Sequence, residues 1–135
     1  MLAAMALGAE GVQIGTRFAL TEESSAHEDF KMYCLNLNEG DTKLMLKKVS
    51  PTRLVKNEFF NEVEEAENRG ASAEELKELL GRGRAKRGIF EGDMADGELE
   101  IGQIASLFRE IQSVEEVMKE IIDEYNSGLN KIEKL

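Results

Sequence analysis

Gly11-Val12-Gln13-Ile14-Gly15, at residues 11–15, is a short segment with β-branched residues at two positions and glycines at both ends. Val12 and Ile14 fall on one face of an extended chain, which predicts a buried β-strand. The Ala-rich residues 2–6 precede it, and Gly8 is placed to end a short helix there in the left-handed conformation. A helix that runs directly into a single strand is typical of the end of a βαβ repeat, here without its earlier members.

Helices and loops are predicted for the rest of the chain, because no second strand is apparent over about the next 100 residues. Thr21 is placed to cap a helix that begins near Glu22. Pro51 is placed to open a later helix. The apolar positions of that later helix are Leu54, Val55, Phe59, Phe60 and Val63. The predicted strand is therefore left without a partner.

Two capping boxes indicate further helix starts, one at Ser72 and Glu75 and the other at Ser113 and Glu116. Gly81 follows the first of these helices and is placed to end it. The second begins an amphipathic helix with the apolar stripe Val114, Val117, Ile121, Ile122 and Tyr125. Another helix is predicted to open at Gly102-Gln103-Ile104-Ala105, with apolar residues in helical spacing at Ile104, Leu107, Phe108 and Ile111.

Length and composition exclude several classes of protein. The 135 residues suffice for one domain but fall short of the roughly 250 that a closed (β/α)₈ barrel needs. With 27 acidic and 17 basic residues, the formal charge of −10 argues against a general nucleic-acid or anionic-membrane surface. No apolar run approaches the roughly 20 residues of a membrane span, and the amino-terminal residues lack the basic segment of a signal peptide.

The only cysteine and the only histidine are both interpreted as structural. Cys34 excludes an intrachain disulfide framework, which fits a reducing, cytoplasmic setting, and its apolar neighbours indicate a small core residue. His27 lies in a polar context near a helix start, where capping or packing is favoured over acid–base catalysis. Without a second histidine or cysteine at ligand spacing, we expect no metal site.

Gly15-Thr16 and two basic groups are the candidates for anion binding. A glycine lets a phosphate approach the backbone N–H groups, and the Thr16 hydroxyl adds a donor, although glycine after a strand is more often only a turn. The basic groups are Lys47, Lys48, Arg53 and Lys56, and then Arg82, Arg84, Lys86 and Arg87. Both groups are interpreted as solvated loops, the second of which pairs with Glu91, Asp93 and Glu98, or else as sites for a dinucleotide phosphate or an acidic carrier protein.

Several blocks of the sequence resemble the end of an FMN-dependent barrel. The first is residues 7–18, which include Gly15-Thr16-Arg17-Phe18, followed by residues 21–24 and Ala26-His27. Pro51 to Asn57, and then residues 91–93 through Gly102-Gln103-Ile104-Ala105, follow in similar order. The sequence resembles the family of nitronate monooxygenase, once called 2-nitropropane dioxygenase, and its close relative enoyl-acyl-carrier-protein reductase II.

The resemblance implies an α/β fold class, namely the carboxyl-terminal fragment of an FMN-binding TIM (β/α)₈ barrel, mostly helical after the final barrel strand. It implies that residues 1–20 form the last helix and strand with the phosphate-binding turn, and that residues 21–112 form a helical and loop insertion over the barrel mouth. Residues 113–135 would be a carboxyl-terminal amphipathic helix. The cofactor-binding residues implied are Gly15 and Thr16 at the FMN phosphate, with Gly102 and Gln103 bordering the flavin.

The implied function is an FMN-dependent monooxygenase that oxidises alkyl nitronates with O₂. One alternative is enoyl-acyl-carrier-protein reductase II, which reduces an enoyl thioester with NADH or NADPH. Because the first seven strands and the family's histidine near the flavin are absent, the fragment alone is expected to be inactive and to self-associate or to need the missing amino-terminal barrel portion. The other alternative is a noncatalytic helical interaction module.

Overall fold

The computed structural model describes residues 1–134. Within them, helices exceed strands, as the sequence analysis predicts. The helices are α1 (Leu2–Ala6), α2 (Thr16–Ala19), α3 (Glu28–Leu35), α4 (Glu58–Asn68), α5 (Ala73–Leu80) and α6 (Val114–Ile132), and the strands are β1 (Thr42–Met45) and β2 (Thr52–Val55). A π-helical turn at Lys86–Phe90 and a 3₁₀ turn at Gln103–Leu107 complete the regular structure.

The chain divides into two compact units. The terminal unit contains residues 1–24 together with the carboxyl-terminal residues from 111 onward, and the central unit contains residues 25–110. The terminal unit therefore holds α1, α2 and α6, while the hairpin and the other three helices belong to the central unit.

In the terminal unit, α6 contacts both short helices. An added Cβ at Gly128 would lie 2.8 Å from Leu2 Cδ2, so α1 reaches the α6 backbone at that glycine. Arg17 of α2 forms a 3.3 Å ion pair with Glu120. The carboxylate of Glu23 accepts a hydrogen bond from the Val114 amide at 2.9 Å and so adds to the capping of α6. The buried hydrophobic side chains of this unit, among the described residues, are Leu20 and Val117.

The strand predicted at residues 11–15 is absent, which corrects the sequence analysis. The segment is irregular and Val12 is 40% exposed. A buried strand needs a neighbour to pair its backbone N–H and C=O groups. In residues 1–134, the only strands are β1 and β2, and each of them pairs with the other. Residues 11–15 therefore have no ladder to join.

The helix predicted to start at Thr21 begins instead at Glu28. The Thr21 hydroxyl donates to the Phe18 carbonyl at 2.9 Å and so closes the end of α2. His27 is the N-cap of α3, and its Nδ1 accepts a hydrogen bond from the Asp29 amide at 3.2 Å. The capping interpretation of His27 is confirmed, while Thr21 acts at the end of a helix and not at its start.

The central unit contains two strands that the sequence analysis missed. β1 and β2 run antiparallel, with Leu44 opposite Arg53 and Met45 opposite Thr52. Pro51 therefore precedes a strand, and α4 begins later, where the Asn57 side chain accepts from the Phe60 amide at 2.9 Å. Four-residue strands offer too few alternating positions to be distinguished from a helix by periodicity.

The core of the central unit forms where α4 and α5 cover the hairpin. Its buried members are Met45, Leu46, Leu54, Phe59, Phe60, Val63, Ala66, Ala71 and Leu76. Both predicted capping boxes are confirmed, with the Ser72 hydroxyl and the Glu75 carboxylate each bonded to the other's backbone amide, and likewise Ser113 and Glu116. Gly81 ends α5 with a positive φ of 66°, also as predicted.

The helix predicted from Gly102 forms only as the short 3₁₀ turn. Ala105 is buried, but Ile104 is 50% exposed and Leu107 is 72% exposed, so the apolar spacing does not correspond to a buried stripe. In α6 the predicted stripe is partly correct, since Val117 is buried while Ile122 is exposed. No helix among residues 1–134 combines the length and the apolar character that a membrane span would need.

Residues 81–98, which we call the basic loop, fold back on themselves through two glycines. A Cβ added to Gly97 would lie 2.3 Å from the Gly88 Cα and 2.2 Å from the Asp93 carbonyl oxygen. The Asn57 side-chain amide donates to the Met94 carbonyl at 3.0 Å and to the Gly97 carbonyl at 2.8 Å. The basic loop is thereby fixed to the start of α4.

We predict that Gly97→Ala lowers the free energy of unfolding by about 1–3 kcal/mol, because backbone atoms cannot yield to the added methyl group. Gly11→Ala is the matched control, since nothing lies within 4 Å of a Cβ at that position. Urea unfolding followed by circular dichroism measures both variants. Equal stability of the two variants would show that the basic loop is free to move away from this contact.

Candidate functional site

Gly15 and Thr16 form an open turn at the start of α2. Gly15 is the N-cap, its carbonyl accepts the Ala19 amide at 2.9 Å, and no atom lies within 4 Å of an added Cβ. Gly15 is exposed and Thr16 is half-buried. The backbone here is accessible to a ligand and stands beside a hydroxyl donor, an arrangement that fits one side of a phosphate group. The sequence predicts that this turn ends a strand. In the structure it opens a helix instead.

Gly102 and Gln103 start the 3₁₀ turn in the central unit, whereas Gly15 and Thr16 belong to the terminal unit. Gly102 accepts the Ala105 amide at 3.0 Å, and the Ser106 hydroxyl donates to the Gln103 carbonyl at 3.3 Å. Gly102 and Gln103 take part in these bonds through their backbone carbonyls. The Gln103 side chain is not used in them and is exposed at the surface.

Gln103 lines a cavity of about 650 Å³ in the central unit, a size that suits a small-molecule site. The side chains around it come from the hairpin, the turn before it and the 3₁₀ turn. They belong to Glu39, Gly40, Thr42, Arg53, Gln103, Ile104, Ser106 and Leu107. Of these residues, Gln103 is predicted from the sequence as a site residue, and Arg53 belongs to a basic group that is a candidate for anion binding.

Three of the four bases of the basic loop are held by groups of the loop or of the neighbouring helices. Lys86 pairs with Glu91 at 2.7 Å, and Arg87 pairs with Asp93. Arg84 donates to the carbonyls of Leu79, Leu80 and Asp96 and lies 4.5 Å from the centre of the Phe59 ring. Arg82 is exposed. The interpretation that these bases pair with nearby acidic residues is confirmed for Lys86 and Arg87.

Cys34 and His27 have structural surroundings. Cys34 is fully buried, and burial raises the pKa of its thiol to about 12, so the thiolate that a nucleophile requires does not form near neutral pH. The His27 ring packs against Gly92, where an added Cβ would lie 2.6 Å from Nδ1. Among residues 1–134, no three side chains of His, Cys, Asp or Glu are grouped to hold a metal ion.

Glu98 is a buried acid that the sequence analysis treats only as a partner for the basic loop. It is 6% exposed and its amide donates to the Arg84 carbonyl at 3.1 Å. Burial, followed by the charge and the hydrogen bond of the Glu100 carboxylate, raises the pKa of Glu98 to about 7, against a smaller lowering by Arg84. The alternation Glu98-Leu99-Glu100-Ile101 would place both acids on an exposed face, so the pattern conceals this burial.

Comparison with known proteins identifies the family. A family model described as nitronate monooxygenase matches residues 1–124. The chain belongs to the nitronate monooxygenase family. A probable nitronate monooxygenase of Bacillus subtilis is 55% identical over 42 residues, which are 31% of this chain and 12% of that protein. One of Staphylococcus saprophyticus is 38% identical over 66 residues, covering 48% of this chain and 19% of the relative.

The solved structure of FabK from Thermotoga maritima has a similar fold. It is 32% identical with a TM-score of 0.87, and the match covers 99% of this chain and 42% of the FabK chain. The M276A mutant of the same protein gives a TM-score of 0.80 at 31% identity, with coverage of 99% and 40%. This nitronate monooxygenase family chain therefore spans less than half the length of the FabK chains, and a smaller share of the curated relatives.

Glu98 gives the stability of this family member a pH dependence with a definite sign. Its folded-state pKa of about 7 lies above the ordinary value of 4.5, so the folded state holds the proton more tightly. The contribution of protonated Glu98 to the free energy of unfolding is therefore complete below its ordinary pKa of 4.5. This contribution is lost as the pH rises toward about 7. We predict that Glu98→Gln is more stable than the parent above about pH 7, by at most roughly 2–3 kcal/mol.

Urea unfolding between about pH 5 and pH 8 measures this effect as the difference between variant and parent. Glu115→Gln, at an exposed position in α6, is the matched control and is expected to follow the parent's pH profile. Parallel profiles for Glu98→Gln and the parent would contradict the assignment of a raised pKa to Glu98.

Proposed function

We propose that the chain is part of an FMN-dependent oxidoreductase that oxidises alkyl nitronates with O₂. The observation that carries the proposal is the family match over residues 1–124, which includes both candidate cofactor positions. The curated relatives that bear the name nitronate monooxygenase give further support, since one of them is 55% identical over its matched segment.

We infer that the whole enzyme is a TIM barrel of which this chain is the carboxyl-terminal part. The FabK match supports this, because it covers 99% of the chain within a polypeptide more than twice as long. The irregular segment 11–15 would then pair with neighbouring strands that the chain does not supply. Such pairing would bury Val12, which is 40% exposed here.

In this proposal Gly15 and Thr16 hold the FMN phosphate. The open space at the missing Cβ of Gly15 lets the phosphate approach the backbone, and the Thr16 hydroxyl can donate to a phosphate oxygen. Gly102 and Gln103 border the flavin ring, where the amide of Gln103 can both donate and accept hydrogen bonds. When bound, FMN supplies the redox chemistry, and the chain's own residues bind and orient it.

A second candidate is enoyl-acyl-carrier-protein reductase II, with NADH or NADPH as reductant. The specific observation that favours it is the likeness to FabK, an enzyme of that kind, over 99% of the chain. The curated nitronate monooxygenases match 31% and 48% of the chain. The two candidates share the flavin and differ in the substrate that is oxidised or reduced.

We infer that the chain alone does not catalyse either reaction and that it associates with itself or with the missing barrel portion. Its terminal unit exposes large apolar side chains, with Leu7 at 90% and Met5, Met118 and Ile122 also exposed. Such groups favour burial against a partner. The buried free thiol of Cys34 is compatible with the reducing cytoplasm that we propose as its location.

We predict that Thr16→Val weakens FMN binding by the native, complete protein by roughly 0.5–3 kcal/mol, because one donor to the phosphate is lost. Riboflavin lacks the phosphate, so its affinity should not change. Thr52→Val is the matched control, because the Thr52 hydroxyl donates to the Ser50 carbonyl within the hairpin. Titration followed by flavin fluorescence measures the affinities of the parent, Thr16→Val and Thr52→Val for FMN and riboflavin.

Equal FMN affinity in Thr16→Val and the parent would contradict the phosphate assignment. The function itself is tested on the native protein by mass spectrometry and flavin absorbance, followed by O₂ consumption with an alkyl nitronate and NADH or NADPH oxidation with an enoyl thioester. A flavin-free native protein of 135 residues would instead support the noncatalytic interaction module.

A further inference from the structure

Within residues 1–134, Arg53 is a cation without an ion-pair partner. It lies in β2, is half-buried, and donates from Nη1 to the Thr42 carbonyl at 3.2 Å and to the Thr42 hydroxyl at 3.1 Å. Among residues 1–134, no carboxylate lies within 4.0 Å of its guanidinium. The two bonds to Thr42 fix the side chain, while Nη2 and Nε remain available as donors.

The cavity that Arg53 lines, here called the Arg53 cavity, has an apolar wall beside this cation. Ile104 and Leu107 of the 3₁₀ turn line it and are 50% and 72% exposed, so their apolar surfaces are accessible to a ligand. Gln103 and Ser106 line the same cavity and add polar groups. A fixed cation next to exposed apolar side chains is complementary to a ligand that has an anionic end and an apolar chain.

We propose that the Arg53 cavity binds an organic anion with an attached apolar chain. The carboxylate or phosphate accepts charge-assisted hydrogen bonds from the Arg53 guanidinium, and the chain lies against Ile104 and Leu107. The volume of about 650 Å³ accommodates a ligand of this kind and exceeds what a small inorganic anion needs. To call this ligand the enzyme's substrate would rest on the proposed function. The binding of the ligand to the cavity requires no flavin.

Glu39 limits which anions the cavity accepts. It is the one acidic residue that lines the Arg53 cavity in the described part of the chain, and its side chain is exposed. Its negative charge disfavours highly charged anions more than singly charged ones. The proposal therefore predicts that Glu39→Gln tightens anion binding, whereas Arg53→Gln weakens it.

Calorimetric titration of the 135-residue chain with octanoate tests the proposal, with octyl phosphate, octanol and acetate as comparison ligands. We expect octanoate or octyl phosphate to bind more tightly than octanol and acetate by about tenfold or more, since only they offer both features. Whichever of octanoate and octyl phosphate binds more tightly shows whether the head group of the ligand is a carboxylate or a phosphate. Arg53→Gln should remove that advantage, while the exposed Arg69→Gln keeps it.

Leu107→Ser provides a variant whose folding is not at risk, because Leu107 is largely exposed. It should reduce the affinity for octanoate several-fold and leave that for acetate unchanged. Octanoate affinity that is the same in the parent, Arg53→Gln and Leu107→Ser, or no binding by the folded parent, would overturn the proposal. A native protein that is found to contain no flavin would contradict the proposed function. That result would not change the outcome of these titrations, because they require no flavin.

Discussion

The contact between the Gly88 and Gly97 backbones is the constraint on which the central unit depends. A Cβ at Gly97 would collide with the Gly88 Cα, and a Cβ at Gly88 would lie 2.7 Å from Leu99 Cδ2 and 2.8 Å from the Glu98 carbonyl oxygen, so neither position accepts a Cβ. The Asn57 side chain bonds to this segment and caps α4 at the same time. The Phe59 amide donates to the Ala95 carbonyl at 3.2 Å, and the Val55 amide donates to Leu99 at 2.9 Å. One compact contact thus orders the loop, the helix start and the strand end.

This arrangement explains how the charges of the basic loop are distributed. Once the loop is closed, Arg84 lies on Phe59 and donates to three carbonyl groups, and Arg87 lies beside Asp93. Both bases are held by groups of the loop and of the neighbouring helices, so they contribute to folding. Arg53 differs, because its only side-chain bonds among the described residues go from Nη1 to Thr42 and because it lines the cavity. Arg84 and Arg53 are therefore distinguished by what surrounds them and not by the basic group to which each belongs.

Sequence reasoning succeeded where the signal is local. The capping boxes at Ser72 and Ser113 are confirmed, because a box involves only residues three apart and fixes the helix start by itself. It failed where the structure depends on distant pairing, as in the missed hairpin, whose strands are recognised only when Leu44 lies opposite Arg53. Residues 11–15 show the converse case, since a strand pattern without a partner does not form a strand.

The candidate site was predictable in the same uneven way. Gly15, Thr16, Gly102 and Gln103 came from a resemblance, and that resemblance is supported by the family match. Their roles toward a flavin stay predictions. The sequence indicates Arg53 only as one member of a basic group and Glu98 only as a partner for bases, because the cavity around Arg53 and the burial of Glu98 are created by contacts between segments far apart in sequence.

Amide hydrogen exchange of the 135-residue chain tests the central claim most directly. The informative amides are those of Val55, Phe59 and Glu98, which donate to Leu99, Ala95 and Arg84. We expect all three to exchange slowly and with the same opening free energy, as members of one cooperative unit. Fast exchange of Glu98 and Phe59 beside a protected hairpin would contradict the claim that the Gly88–Gly97 contact orders the central unit.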